Sequence, residues 1–197
     1  MAFKDCLDAV SEGHRYLGGE NPMNRGHQQE RLPKKEKYLK YYLAGFIDGE
    51  GCFSVSVKPL PSARFGWVVN PMFQVYQHRK NRRILELCRR VFHCGYITQK
   101  SGRPNNLVYI VDNLRSLKEK VLPFFWKHPL LSEKQGEFER FARIIEKLWA
   151  KEHLTREGLA KIIRLAFTMN RGEQQRKYKL KEIMTSLAES SETTRQT

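Results

Sequence analysis

The sequence predicts an α+β fold built on a four-stranded antiparallel sheet, in the order helix, two strands, helix, two strands, helix, with extra helices towards the C-terminus. Three observations predict it. Residues 52–58 and 67–78 alternate apolar and polar side chains with the two-residue period of half-buried strands. Residues 84–92 and 138–148 repeat their apolar positions at helical spacing. Glycine and proline fall between these runs, where chain direction has to change. At 197 residues with 40% hydrophobic content, the chain is long enough for one well-buried domain with extensions.

The elements follow in order. Residues 1–36 are polar, broken by Gly18-Gly19 and Pro22, and read as an N-terminal arm with at most one short helix. The main domain is expected over 37–170, followed by a C-terminal helix and tail over 171–197. Residues 38–50 read as a helix, with Gly51 placed to end it in the left-handed C-cap conformation. In the first strand Phe53, Val55 and Val57 share a face, and Cys52, Ser54, Ser56 and Lys58 share the other. In the second, Trp67, Val69, Phe73 and Val75 oppose Asn70, Gln74, Tyr76 and His78, while Pro59, Pro61 and Pro71 limit regularity. Asn81 is the expected N-cap of a helix carrying Ile84, Leu85, Leu87, Cys88, Val91 and Phe92, which Gly95 stops. Residues 96–100 and 107–111 form a shorter strand pair around a turn at 101–106. A short helix over 113–122 is expected to end at Pro123. Ser132 and Gln135 resemble a capping box opening the helix of Phe138, Phe141, Ile144, Ile145 and Leu148, and 155–170 supplies another helix. Residues 186–197, rich in Ser, Thr and Glu, read as a frayed tail.

Composition narrows the function. Lys and Arg number 36 against 21 Asp and Glu, a formal charge of +15, which points to a polyanionic partner, nucleic acid first. A membrane surface would be met by one basic amphipathic helix, whereas these cations are spread along the chain. No apolar run approaches the roughly 20 residues of a membrane span, and residues 1–16 lack the apolar core of a secretory signal. No organelle transit peptide is evident. Cys6, Cys52, Cys88 and Cys94 fit no zinc spacing and suit a reducing compartment, so any metal must find oxygen ligands.

Three features meet between Tyr41 and Gly51. Gly45 and Gly49 lie four apart with Ala44 beside them, a spacing that lets two such helices approach closely, as in an isologous dimer. Asp48 and Glu50 sit in the last helical turn, where the dipole disfavours a carboxylate by roughly 0.3–1 kcal/mol. Two Glu50 side chains converging at a dimer axis would raise one pKa or demand a cation, and Mg²⁺ suits hard oxygens. A polar-faced hairpin follows at once, about the width of a ribbon that fits the DNA major groove. Its outward residues Ser54, Ser56, Lys58, Asn70, Gln74 and Tyr76, with Arg64 at the turn and Thr98, Lys100 and Arg103 on the second hairpin, form either a DNA-binding surface or an ordinary solvated face.

Residues 43–51, Leu-Ala-Gly-Phe-Ile-Asp-Gly-Glu-Gly, resemble the LAGLIDADG signature. The order of elements after them is similar to that of single-motif homing endonucleases encoded in organellar group I introns. The resemblance covers about 38–149 and extends to Phe73-Gln-Val-Tyr-Gln77 and Lys134-Gln135. It implies an αββαββα homing-endonuclease saddle over a long pseudo-palindromic double-stranded DNA site, with Mg²⁺-dependent cleavage of both strands. One motif copy implies a homodimer, with Leu43, Ala44, Gly45, Phe46 and Gly49 at the interface, and the family resemblance implies an intracellular, organellar location in a chloroplast or mitochondrion. Glu50 matches the metal-binding acid and Gly49 the position whose carbonyl joins the metal shell. Gln77 falls where a polar residue orders active-site water, and Lys134 where a basic residue stands near the scissile phosphate. Asn81 departs from the family, which can carry a basic residue there; here Arg82 and Arg83 come after it. Asp48 reads as a structural hydrogen-bond acceptor. The same scaffold also hosts RNA-binding intron maturases, the alternative reading; a DNA-binding regulator that does not cut is opposed by Glu50.

Overall fold

The computed structural model describes residues 36–169 and 176–189. The expected arm ahead of Glu36 and the residues after 189 lie outside the described residues. In chain order come α1 (Glu36–Glu50), β1 (Gly51–Pro59), β2 (Trp67–His78), a 3₁₀ turn (Arg79–Asn81) and α2 (Arg82–Phe92). Then follow β3 (Tyr96–Lys100), β4 (Arg103–Val111), α3 (residues 114–127), α4 (Lys134–Trp149), α5 (Arg156–Phe167) and α6 (Leu180–Glu189). This is the expected α+β order, with one antiparallel sheet of strand order β1-β2-β4-β3.

The two-residue period acts as anticipated. Phe53, Val55, Val69, Phe73, Val75, Tyr109 and Val111 are buried on the helix-covered face of the sheet. Phe53 lies at the centre of an aromatic cluster, its ring 5.2–5.4 Å from those of Phe73, Phe125, Phe138 and Phe141. The cluster ties α3 and α4 to the start of β1, which is where the candidate site lies. Rings at this spacing add edge-to-face attraction to their buried area.

Several boundaries differ from expectation. Arg103 begins β4 and pairs with Lys100, so the second hairpin turns at Ser101-Gly102, with Gly102 at φ +71°. A bulge at Gln99/Lys100 absorbs the extra residues, and the Gln99 amide donates to the Pro104 carbonyl at 2.9 Å. Pro123 does not end α3: a π-helical turn over Leu117–Val121 precedes it, and proline stands in the first turn of the following α-helical segment, where its missing N–H costs little. Asn81 makes no side-chain cap; its amide donates to Gln77 Oε1 at 3.2 Å. The capping box is absent too. Ser132 Oγ accepts from the Lys134 N–H at 3.1 Å, while Gln135 Oε1 accepts from the Leu130 N–H at 3.1 Å.

The tail was expected to fray from Ser186, yet α6 runs to Glu189 with Ile183 and Leu187 buried. Two apolar residues one turn apart were too weak a signal beside the surrounding Ser and Glu. The Trp67 indole donates to Ser186 Oγ at 3.3 Å and meets the Tyr178 ring edge-on at 5.3 Å. Thus α6 rests on the turn end of the β1–β2 hairpin.

Candidate functional site

α1 passes into β1 with no linking residue. A Cβ at Gly51 would meet the Ile47 side chain and lie 2.7 Å from the Ile47 carbonyl oxygen. Glycine is required there by close approach to the preceding turn. It is not a left-handed C-cap, since the glycines with positive φ among the described residues are Gly66, Gly95 and Gly102.

A helix end leaves carbonyls without intrahelical partners. Lys134 supplies them from across the chain: its Nζ donates to the carbonyls of Ile47 at 3.2 Å, Gly49 at 3.2 Å and Gly51 at 2.7 Å. An ammonium has three N–H groups, and three carbonyls receive them. The cation therefore sits at the negative end of the α1 dipole. Burial pulls the Lys134 pKa below the usual lysine value, against the opposing pull of Asp48, Cys52 and Glu50.

Asp48 holds this arrangement. Its Oδ2 accepts from the backbone N–H groups of Leu131 and Ser132, each at 3.1 Å, and its Oδ1 accepts from the Ser132 hydroxyl. The loop that opens α4 is thereby pinned to the end of α1, and Lys134 with it. Both Asp48 oxygens are engaged, as expected of a structural acceptor. Glu50, two residues on, is exposed, and its carboxylate makes no hydrogen bond among the described residues.

The remaining predicted residues fall into three groups. Gln77 lies on β2 opposite Leu107, and its Oε1 accepts from the His78 N–H at 2.8 Å and from Asn81 Nδ2. No hydrogen bond among the described residues joins it to Glu50 or Lys134. On the outward sheet face, Ser54 Oγ and Tyr76 Oη both donate to Gln74 Oε1, at 3.4 and 3.1 Å, and Lys100 Nζ stands 4.3 Å from the Tyr76 ring centre. This polar chain crosses from β1 through β2 to β3. Lys58, Arg64, Asn70, Thr98 and Arg103 are exposed around it, whereas the Ser56 hydroxyl is buried without a partner among the described residues.

The third group is the expected helix interface, which needs correction. Leu43 is fully buried and Ala44 is 5% exposed, both packed in the core of their own chain. The helical period puts 43, 44 and 47 inward and 38, 41, 42, 45 and 49 outward. Gly45 and Gly49 are exposed with nothing within 4 Å of an added Cβ, and Tyr38, Tyr41 and Tyr42 flank them. These tyrosines were missed, although their spacing was readable. Phe46 is half-buried at the side.

Among the described residues no three His, Cys, Asp or Glu side chains gather as a metal site. Cys52, Cys88 and Cys94 are free thiols; burial pushes Cys88 up to about 12, so it is an inert core residue.

Comparison with known proteins adds to this geometry. Residues 43–145 match a family model described as LAGLIDADG endonuclease. The chain is similar to the DNA endonuclease I-CeuI of Chlamydomonas moewusii, 40% identical over 103 residues, which are 52% of this chain and 47% of that protein. It thus spans about half the length of that curated relative. Among solved structures it resembles the archaeal intron-encoded homing endonuclease I-Vdi141I complexed with DNA, with a TM-score of 0.73 and 32% identity over 79% of this chain and 98% of that one. The group I intron-encoded homing endonuclease I-CeuI complexed with DNA also gives a TM-score of 0.73, with 30% identity over 80% of this chain and 79% of that one.

Proposed function

The chain belongs to the LAGLIDADG endonuclease family, and on that premise we propose that it is a homodimeric, site-specific DNA endonuclease that cuts both strands of a long pseudo-palindromic site by metal-dependent phosphodiester hydrolysis. The observation that carries this reading is the junction of α1 and β1. There an exposed carboxylate, Glu50, stands beside a half-buried ammonium, Lys134, at the edge of a polar sheet face.

Each part has a role. The outward stripe of α1, with Gly45 and Gly49 bare and three tyrosines around them, meets the same stripe of a second copy. This brings two Glu50 carboxylates to one axis. Mg²⁺ fits the donors: Glu50 and the Gly49 carbonyl are hard oxygens, the carbonyl keeping a second lone pair beside its bond from Lys134, whereas both Asp48 oxygens are engaged, and this ion ordinarily takes few carboxylates, completing its shell with water and substrate phosphate. When bound it would supply charge neutralisation at the cleaved phosphodiester. Lys134 holds the helix-end carbonyls in place and adds a fixed positive charge near developing oxyanion charge. Gln77, steadied by Asn81, serves as the water-ordering residue. Ser54, Lys58, Arg64, Asn70, Gln74, Tyr76, Thr98, Lys100 and Arg103 form the DNA surface, phosphates giving affinity and base edges specificity, and Ser56, its hydroxyl buried, is left out of it.

The purified chain is expected to cut the intron-less form of its host gene with Mg²⁺ and not with Ca²⁺. Glu50→Gln is expected to abolish cutting while keeping DNA binding, checked by gel cleavage and mobility shift. Undiminished cutting by Glu50→Gln would remove the basis of this reading.

One observation favours the second reading, an RNA-binding maturase. The solvent side of α2 carries Arg82, Arg83, Arg89 and Arg90, with Glu86 the lone acid among them. That stripe lies on the helix layer, away from the outward sheet face, and could meet a separate polyanion. Retention of the host intron transcript on a filter, undisturbed by excess duplex DNA, would speak for it.

A further inference from the structure

We infer that the cleft beside Lys134 is a second phosphate site, in which Arg140 grips a backbone phosphodiester of the bound nucleic acid. The inference rests on the endonuclease reading and adds to it a residue outside the signature.

Lys134, Glu137 and Arg140 recur every three residues along one flank of α4. With Gly51, Cys52 and Phe53 they line an open cleft of about 490 Å³, entered from the edge of the sheet where β1 begins. It adjoins the ring of carbonyls that Lys134 holds. The cleft is thus continuous with the candidate active site and not a remote feature of the surface.

The Arg140 guanidinium is only half used. Nη2 donates to Glu137 Oε1 at 2.8 Å, yet the neighbouring Nε–H is buried with no partner among the described residues. A buried N–H left unmatched is costly, and such atoms in native structures call for an explanation such as a ligand. On the planar fork these two N–H groups are those a phosphate takes with two of its oxygens. Glu137 holds one leg of that fork and leaves the other empty. The guanidinium also folds back along its helix: a Cβ at Gly136 would lie 3.7 and 3.8 Å from its two terminal nitrogens. That direction is towards the N-terminal turn, where Lys134 stands.

Glu137 has a place in this scheme as a temporary counter-ion. The pair is partly solvated, with side chains 35% and 27% exposed, so exchange for a phosphate is a modest change. A purely structural Arg140–Glu137 pair leaves Nε without a partner among the described residues. A phosphate satisfies it.

The test uses the full chain and a duplex selected by the wild type from a randomised pool, remade as a series with one neutral methylphosphonate at each backbone position in turn. Arg140→Ala and Arg140→Lys are compared with the wild type for affinity at several salt concentrations and for single-turnover cutting, with thermal melting to establish folding. Arg140→Ala is expected to lower the slope of log affinity against log salt by about 1 per protomer. One methylphosphonate position per half-site should weaken the wild type and leave Arg140→Ala unaffected, with free guanidinium partly restoring the variant. If wild type and Arg140→Ala lose affinity at the same positions, the phosphate site is overturned and the endonuclease reading stands. A wild-type chain that neither binds nor cuts any duplex overturns both. Should Arg140→Ala fail to fold, Arg140→Lys carries the comparison: wild-type sensitivity at every position overturns the site, and selective loss at one position supports it.

Discussion

Lys134 begins a helix, where a positive charge is disfavoured, and ends another, where it is favoured. The second placement prevails because its ammonium reaches three carbonyls around the end of α1. Lys134→Met would orphan those acceptors, and the expected loss of stability is about 1–3 kcal/mol near neutral pH. The pH dependence has a definite sign. Burial lowers the folded-state pKa below the unfolded value, so between the two values the unfolded chain binds more protons and stability rises with pH. The cost of burying this charge is therefore full below the folded pKa and fades as pH approaches the ordinary lysine value. Urea melts across alkaline pH should show this gain in the wild type and not in Lys134→Met. Equal slopes for the two proteins would show that Lys134 is not the group responsible. Cutting that needs the ammonium should also fail at a lower pH than a solvated lysine would dictate.

Strand β1 is an edge, and exposed edges invite unwanted pairing. Arg176 covers part of it, donating to the Val55 carbonyl at 3.1 Å and to the Ala166 carbonyl, with its guanidinium 4.4 Å from the Phe167 ring centre. Further along, Arg156 lies 5.6 Å from the Phe65 ring centre and donates to the Ala188 carbonyl. Together with the Trp67 contacts, these bonds make the C-terminal segment a brace for the β1–β2 hairpin. Arg176→Met is expected to speed amide exchange in β1 by roughly tenfold, the loss of about one hydrogen bond's net worth, while α4 keeps its protection. Hydrogen-exchange mass spectrometry reads both segments at once, and an unchanged β1 would argue against a brace. None of this was legible beforehand. A strand's alternation says which face is buried, but not which distant arginine will reach a particular carbonyl.

Over the whole molecule, what the sequence revealed was whatever depends on period and local spacing. The strand faces, the helix faces and the acid at the end of α1 all followed from residues close together in the chain. Features that join distant segments did not: the grip of Asp48 on Leu131 and Ser132, the carbonyl ring around Lys134 and the Arg140 cleft need the fold before they exist. Gly51 shows the boundary well, since glycine was anticipated there for its freedom at positive φ and is required instead because Ile47 fills the space a Cβ would occupy. The mixed interface list arose likewise, because Leu43 and Ala44 adjoin Gly45 in sequence but point to the other side of the helix. Assembly is the property that belongs to this scale. Gly45→Leu projects a side chain from the bare outward stripe and is expected to leave the chain monomeric in analytical ultracentrifugation, where the wild type sediments as the proposed dimer, with an unchanged circular dichroism spectrum. A Gly45→Leu protein that still sediments as a dimer would exclude this stripe as the contact.

The hold of Asp48 on the loop before α4 bears on how the protein is made. Asp48 and its partners lie 83 and 84 residues apart, so a ribosome-bound chain that has released the whole signature still lacks both the clamp and Lys134. Synthesis must pass Lys134 before acid and cation can share a site. For a protein proposed to cut DNA, the site is therefore completed only after strands β1 to β4 have been made.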